Sequence, residues 1–110
     1  MRLFIILLMV IGFSVPAFSQ TMVVGTIEMI RTGWDSEQFA VVMQGLPQNP
    51  AGCSTPDGYI ANSSHPGYNT YYAAALAAFV ERTQIVVTIS NKPGDCIANR
   101  PRLIGINIQR

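Results

Sequence analysis

The stretch Tyr71–Ser90, YYAAALAAFVERTQIVVTIS, changes its hydrophobic period partway through and thereby decides the fold. Tyr71 to Arg82 consists of strong helix formers, and Asn69 ahead of it has a side-chain oxygen suited to an N-cap. Tyr72, Leu76, Phe79 and Val80 recur at helical spacing, which predicts one apolar stripe facing a core. Ala73, Ala74, Ala77 and Ala78 keep the rest of the helix small. That composition serves plain helix propensity, or close packing against a second element or a neighbouring subunit. From Gln84 the period becomes two: Ile85, Val87 and Ile89 alternate with Val86, Thr88 and Ser90, so a strand follows the helix. Outward from this unit, Lys92-Pro93-Gly94 is turn chemistry. Leu103–Arg110 (LIGINIQR) then alternates as a last strand.

Upstream, Met22–Arg31 (MVVGTIEMIR) reads as one strand in which Gly25, Ile27 and Met29 alternate with Thr26, Glu28 and Ile30. Gly25 marks a bulge or sharp bend within it. Thr32–Ser36 is a turn, and Gln38–Gln44 (QFAVVMQ) is the second arm of a hairpin. Gly45 to Gly58 is punctuated by Pro47, Pro50, Gly52 and Pro56 and reads as loop. Tyr59–Ala61 is a short third strand. The order is β-β-β-α-β-β, and five short strands with a helix between the third and fourth is the element order of an OB-fold. The expected fold is therefore β-rich α+β: a small OB-like five-stranded barrel with one helix and one disulfide.

Met1–Ser19 is read as a leader outside this domain. Arg2 is followed by the apolar run Leu3–Val15, Pro16 breaks it, and Ala17-Phe18-Ser19 sets small residues before Gln20, the layout of a secretory signal peptide. The run is too short for a membrane helix, which needs about 20 apolar residues. Expected, then, is a single domain over Gln20–Arg110, secreted or periplasmic, with no membrane insertion after cleavage. The chain has seven Lys and Arg against six Asp and Glu, and loss of Arg2 leaves the charges balanced. No basic stripe is present to neutralise phosphates, so nucleic acid is excluded as a partner. Near-neutrality also removes a guard against self-association and leaves room for a homo-oligomer.

Cys53 and Cys96 are the two cysteines. In an oxidising compartment a minimal even count reads as one disulfide, which would support a domain whose core alone is marginal; the rival reading is a pair of free thiols or a reactive Cys53. Enzymatic chemistry has little to work with. His65 is the one histidine, so a metal site built on several imidazoles is not available, and no cofactor motif appears. Ser54 or Ser63 with His65 and Asp57 nominally make a triad, but no nucleophile elbow surrounds them. Asp57, in Pro-Asp-Gly, reads as a residue that caps its own turn. Asn62-Ser63-Ser64 matches a glycosylation pattern, a match that is chance if the secreted protein is bacterial, as the style of the leader suggests.

The candidate ligand-binding residues are Trp34 and Asp35. A turn does not need tryptophan, and a flat aromatic beside hydrogen-bonding groups can stack a sugar ring; Tyr59, Tyr68 and Tyr71 offer the same chemistry. Trp34 can equally fold back as a lid over one end of the barrel. Asn99 and Arg100 either meet an anionic ligand or belong to a connector in which Arg100 and Arg102 pair with Glu81 or Asp95.

The run Tyr71–Ile89, with Arg82-Thr83-Gln84-Ile85-Val86-Val87 entering the strand and Lys92-Pro93-Gly94 after it, resembles the B subunits of AB5 toxins, the subtilase cytotoxin type among them. The resemblance covers about a quarter of the domain. It implies a non-catalytic glycan-binding module, in a ring of five subunits with the helices lining the centre, and carries over no binding residue. The competing reading is a structural or protein-interaction domain with a protein partner and no sugar ligand.

Overall fold

The run expected as a single strand over Met22–Arg31 forms two, β1 (Gln20–Gly25) and β2 (Ile27–Thr32), parted at Thr26. This is a computed structural model that describes residues 20–109; the leader expected over Met1–Ser19 lies outside them. β2 continues through a hairpin into β3 (Gln38–Met43), and β4 (Tyr59–Asn62) follows the long loop. The helix α1 spans Tyr68–Glu81, and β5 covers Ile85–Ser90. β6 (Cys96–Ile97) and β7 (Arg100–Pro101) form a short ribbon before β8 (Leu103–Ile108).

The strands make two three-stranded antiparallel sheets, β1-β5-β8 and β2-β3-β4. The break at Thr26 lets one run of chain serve both, and the Thr26 carbonyl accepts the Gln44 N–H at 3.0 Å where the sheets part. On the far side, one parallel bridge joins Ile60 to Arg102. The ladders do not close into a barrel. What stands is a small strand-rich domain with one helix and one disulfide.

Register explains a second departure from the alternation read in the sequence. Ile27 pairs with Met43 but Met29 pairs with Val42, so Glu28 is an extra residue in a β-bulge. A bulge reverses the facing of everything beyond it. Ile27 is buried and Ile30 packs on the core, while Met29 turns outward and is exposed.

The core lies between the sheets. Phe39 and Val41 of β3, Tyr59 and Ala61 of β4, Ile85, Val87 and Ile89 of β5 and Leu103 of β8 form one cluster. Ala40 and Ile60 point to the other side of their sheet, yet both are fully buried. The β6–β7 ribbon, which packs on β4 and contains buried Pro101, covers that second face.

The helix turns a different face inward from the one its large residues predict. Ala75 and Ala78 are buried, whereas Leu76, Phe79 and Val80 are exposed. Small side chains let the helix axis approach the sheets closely, and bulk comes from its first turns instead. Tyr68 and Tyr72 lie 5.6 and 5.2 Å from Phe39, centroid to centroid, with the Tyr72 ring edge-on. Such aromatic pairs add about 0.5–1.5 kcal/mol beyond their buried area.

The helix also starts earlier than the Asn69 cap predicts. Gly67, with φ at +89°, is the N-cap, and no side chain caps the first turn. A Cβ at Gly67 would sit 2.7 Å from the Tyr71 ring, in a backbone region that L-residues avoid. At the other end Arg82 takes the left-handed conformation, its N–H reaching Ala78 and Phe79 carbonyls, and stops the helix without a glycine.

Cys53 and Cys96 are joined by a disulfide across a separation of 43 residues. Two outcomes are expected from these features. Breaking the bridge with Cys53→Ser costs up to about 4 kcal/mol in the loop-entropy model, read as a large drop in melting temperature; an unchanged value would show the bridge idle. Gly67→Ala costs about 1–3 kcal/mol from the forced left-handed residue, measurable in the same thermal melts, while Gly45→Ala meets the backbone strain alone because nothing lies near its Cβ.

Candidate functional site

Three loops converge at one end of the molecule. The β2–β3 hairpin presents Trp34 at its tip, the Gly45–Gly58 loop presents Asp57, and the β6–β7 turn leads into Arg100. The long loop makes few ladder contacts and is pinned instead by specific bonds. The Asn49 side chain accepts from the Cys53 N–H and donates to the Cys53 carbonyl, both at 2.8 Å. The Gln48 N–H donates to the buried Tyr59 hydroxyl at 2.9 Å, and the Thr55 N–H donates to the Asn99 carbonyl at 2.9 Å. The Cys53–Cys96 bridge ties the same loop to β6. Asp57 and Arg100 are therefore brought together by covalent and backbone restraints, before their charges act.

The Arg100 guanidinium lies over the Trp34 ring, 5.8 Å from its centroid. An arginine over an indole face gains about 0.5–1 kcal/mol at an exposed site. Nε and Nη2 of Arg100 donate to the two oxygens of Asp57, and Nη1 donates to the Ala98 carbonyl at 2.9 Å. Arg31, from the outer face of β2, donates to Asp57 Oδ2 at 3.2 Å. One carboxylate thus holds two guanidiniums, and the group keeps one net positive charge.

Arg100 and Arg31 together hold the Asp57 carboxyl below its ordinary value of 3.8; the Arg100 hydrogen bond is the largest cause, and partial burial opposes it. Asp95 is likewise lowered, first by its hydrogen bonds with Arg102 at 2.9–3.1 Å. The Arg102–Asp95 pair is one of the pairings that the connector reading of the sequence offered. Arg100 pairs elsewhere, with Asp57, whose carboxylate does not cap its own turn.

Trp34 is not a lid. It is absent from the core cluster and 48 % exposed. Asp35 stands beside it, exposed at the same tip. The tyrosines behave differently. Tyr59 is buried, and Tyr68 and Tyr71 pack against the core, so none offers a free ring beside Trp34.

Backbone strain is concentrated at these loops. Five non-glycine residues among those described have positive φ, and four of them flank the contact: Trp34 (61°), Asp35 (57°), Ala98 (48°) and Asn99 (66°). For a bulky residue such as tryptophan this conformation is an outlier, costing of order 1–3 kcal/mol. A cleft of about 290 Å³ adjoins the site, lined by Glu28, Arg31, Val42, Leu46, Asp57 and Tyr59.

The nominal triad is not assembled. Asp57 is committed to arginines, and the buried Nδ1 of His65 makes no hydrogen bond among the described residues. His65 instead lines a separate open cleft with Lys92, Asp95 and Arg102. No group of three or more His, Cys, Asp or Glu able to hold a metal occurs among the described residues. No helix there is long and apolar enough to cross a membrane.

Sequence reasoning selected Trp34 and Asp35 but missed Arg31 and Asp57, and it left Arg100 undecided. The missed signal was topological: Arg31 begins on the strand that leads into the Trp34 turn, and Cys53 and Cys96 flank Asp57 and Arg100 along the chain.

The single tryptophan makes this site readable by fluorescence. Asp57 is favoured in its charged form when folded, so its pairing is fully present above the unfolded value near 3.8 and is lost as pH falls through the lower folded value. Trp34 emission is therefore expected to stay constant from neutral pH to about pH 4 and to shift only below it, with Asp57→Asn showing the shifted emission already at neutral pH. A transition centred near neutrality would contradict the assignment.

Searches of protein-family models, of curated proteins and of solved structures find no match to this chain.

Proposed function

We propose that this protein is a secreted or periplasmic, non-catalytic binding module that holds a glycan against Trp34, with Asp35, Arg31 and Arg100 supplying hydrogen bonds around the ring and Asp57 holding the two arginines in place. The observation that carries this reading is the strained, half-exposed Trp34 facing a pinned arginine–aspartate cluster. A tryptophan held in a left-handed turn at the surface, outside the core cluster, is best accounted for by a ligand. An indole face buries an apolar sugar face while adjacent charged groups fix the hydroxyls, the usual division of labour in small-ligand sites. The disulfide fits an oxidising compartment.

The proposal includes an OB-like arrangement. β1 and β2 together take the part of a single bent first strand, shared between β5 and β3. The parallel Ile60–Arg102 bridge takes the part of the contact that would complete the circuit between the third and last strands. On that mapping Trp34 belongs to the loop between the first two strands and Arg100 to the loop between the last two. Those are the two loops with which OB-folds bind oligosaccharides and oligonucleotides, and the balanced charge argues for the former. The AB5-like run Tyr71–Ile89 supports the same ligand class.

The second reading, a protein-interaction domain without a sugar ligand, draws on the exposed Leu76, Phe79 and Val80 of α1. The two are separated by one experiment. The oxidised protein is applied to an array of defined glycans, and any hit is titrated by calorimetry. Trp34→Ala is expected to abolish binding with the melting temperature nearly unchanged, and Arg100→Ala to weaken it at least tenfold. Binding that survives Trp34→Ala removes the site, and a blank array from folded protein favours the protein partner.

A further inference from the structure

The two sheets leave strand edges of different character. Among the described residues β2 pairs only with β3, but its free edge is guarded by the Glu28 bulge and by Glu28 and Arg31 themselves. β4 is only four residues long and meets Arg102 through its parallel bridge. Both are devices by which proteins prevent a sheet edge from recruiting another chain.

β1 has none of them. Its ladder to β5 is continuous from Gln20 to Gly25 without a register shift, and no other ladder uses its second edge among the described residues. Its sequence, QTMVVG, contains no charge and no proline. Met22 and Val24, on one face, are 63 % and 61 % exposed. An uncharged, β-branched edge with no ladder on its outer side is a template for strand addition.

We propose that β1 pairs antiparallel with β1 of a second copy across a two-fold axis, joining two three-stranded sheets into one of six strands. The second copy is the occupant because the strand is complementary to itself. An isologous contact sets each residue against its mirror position, and a register centred on Val23 brings Met22 opposite Val24 of the other chain, twice. Side chains directly opposite in an antiparallel pair share a face, so the exposed apolar residues form one continuous row. Thr21 then opposes Gly25, and no like charges meet, since the first charge after β1 is Glu28. The contact lies on the β1-β5-β8 sheet and uses none of the Trp34, Asp57 or Arg100 side chains, so it stands or falls independently of the glycan reading.

The test is the solution mass of the protein expressed from the full chain, its N-terminus read by mass spectrometry, with light scattering run over a concentration series. The expected result is a concentration-dependent two-chain mass. The pair M22K–V24K puts lysine against lysine at both crossings and is expected to lower the mass to one chain with its melting curve intact, because both side chains are exposed. The pair M22K–V24E instead sets opposite charges across the same crossings and is expected to recover the two-chain mass. A wild-type monomer, a five-chain mass indifferent to M22K–V24K, or failure of M22K–V24E to recover association would each overturn the proposal.

Discussion

Between Gly45 and Gly58 the chain makes almost no regular hydrogen bonds, and the Cys53–Cys96 bridge turns this stretch into part of the structure. It ties the loop to the β6–β7 ribbon, and the two together cover the second face of the β3–β4 pair. Ala40 and Ile60 are fully buried on that face as a result. The same tie brings Asp57 beside Arg100. The Gly94 N–H bonded to the Ala51 carbonyl and the Thr55 N–H bonded to the Asn99 carbonyl, both at 2.9 Å, fix the register of loop against ribbon on either side of the bridge. A domain of this size buries too little surface to order such a loop by packing alone. The covalent link reduces the entropy of the unfolded chain, and the backbone bonds then select one arrangement.

That dependence explains what could be read from the sequence. The helix, the β3, β5 and β8 strands and the disulfide were legible, because period and residue type are local signals and two cysteines have one pairing. The helix face was not. Leu76, Phe79 and Val80 outrank alanine in hydrophobicity, but which stripe turns inward depends on how closely the axis can approach two sheets, and Ala75 and Ala78 allow the closer approach. The start of the helix was misplaced for a related reason. Asn69 is the better cap in isolation, whereas Gly67 is required by the Tyr71 ring that packs over it. At Glu28 the bulge inverted an alternation that was sound on each side of it.

The candidate site was half legible. Trp34 and Asp35 were conspicuous because a turn has no use for tryptophan. Arg100 and Asp57 were individually ordinary: an arginine beside a proline, and an aspartate in a turn sequence that normally caps itself. Their partnership comes from the bridge and from the β6–β7 ribbon, a two-residue pairing too short to leave a periodic signal. Short-range rules cannot see a contact between residues 43 positions apart in the chain.

Local preference and final structure disagree most at this same place. Elsewhere the sequence agrees with its structure: β-branched residues lie in strands and glycine takes most of the left-handed turns. At the hairpin tip and the β6–β7 turn, tryptophan, aspartate, alanine and asparagine take backbone conformations that glycine would adopt at less cost. Such disagreements persist where the surroundings over-determine the backbone, and they gather at sites that act. Here the surroundings are identifiable: Arg100 spans Trp34, Asp57 and the Ala98 carbonyl, so one side chain holds both strained loops. Aspartate and asparagine adopt this region readily, so the strain rests on Trp34 and Ala98, one in each of the two loops that this arginine joins. Its concentration there follows if the spacing between Trp34 and the Asp57 carboxylate is what the fold is arranged to keep.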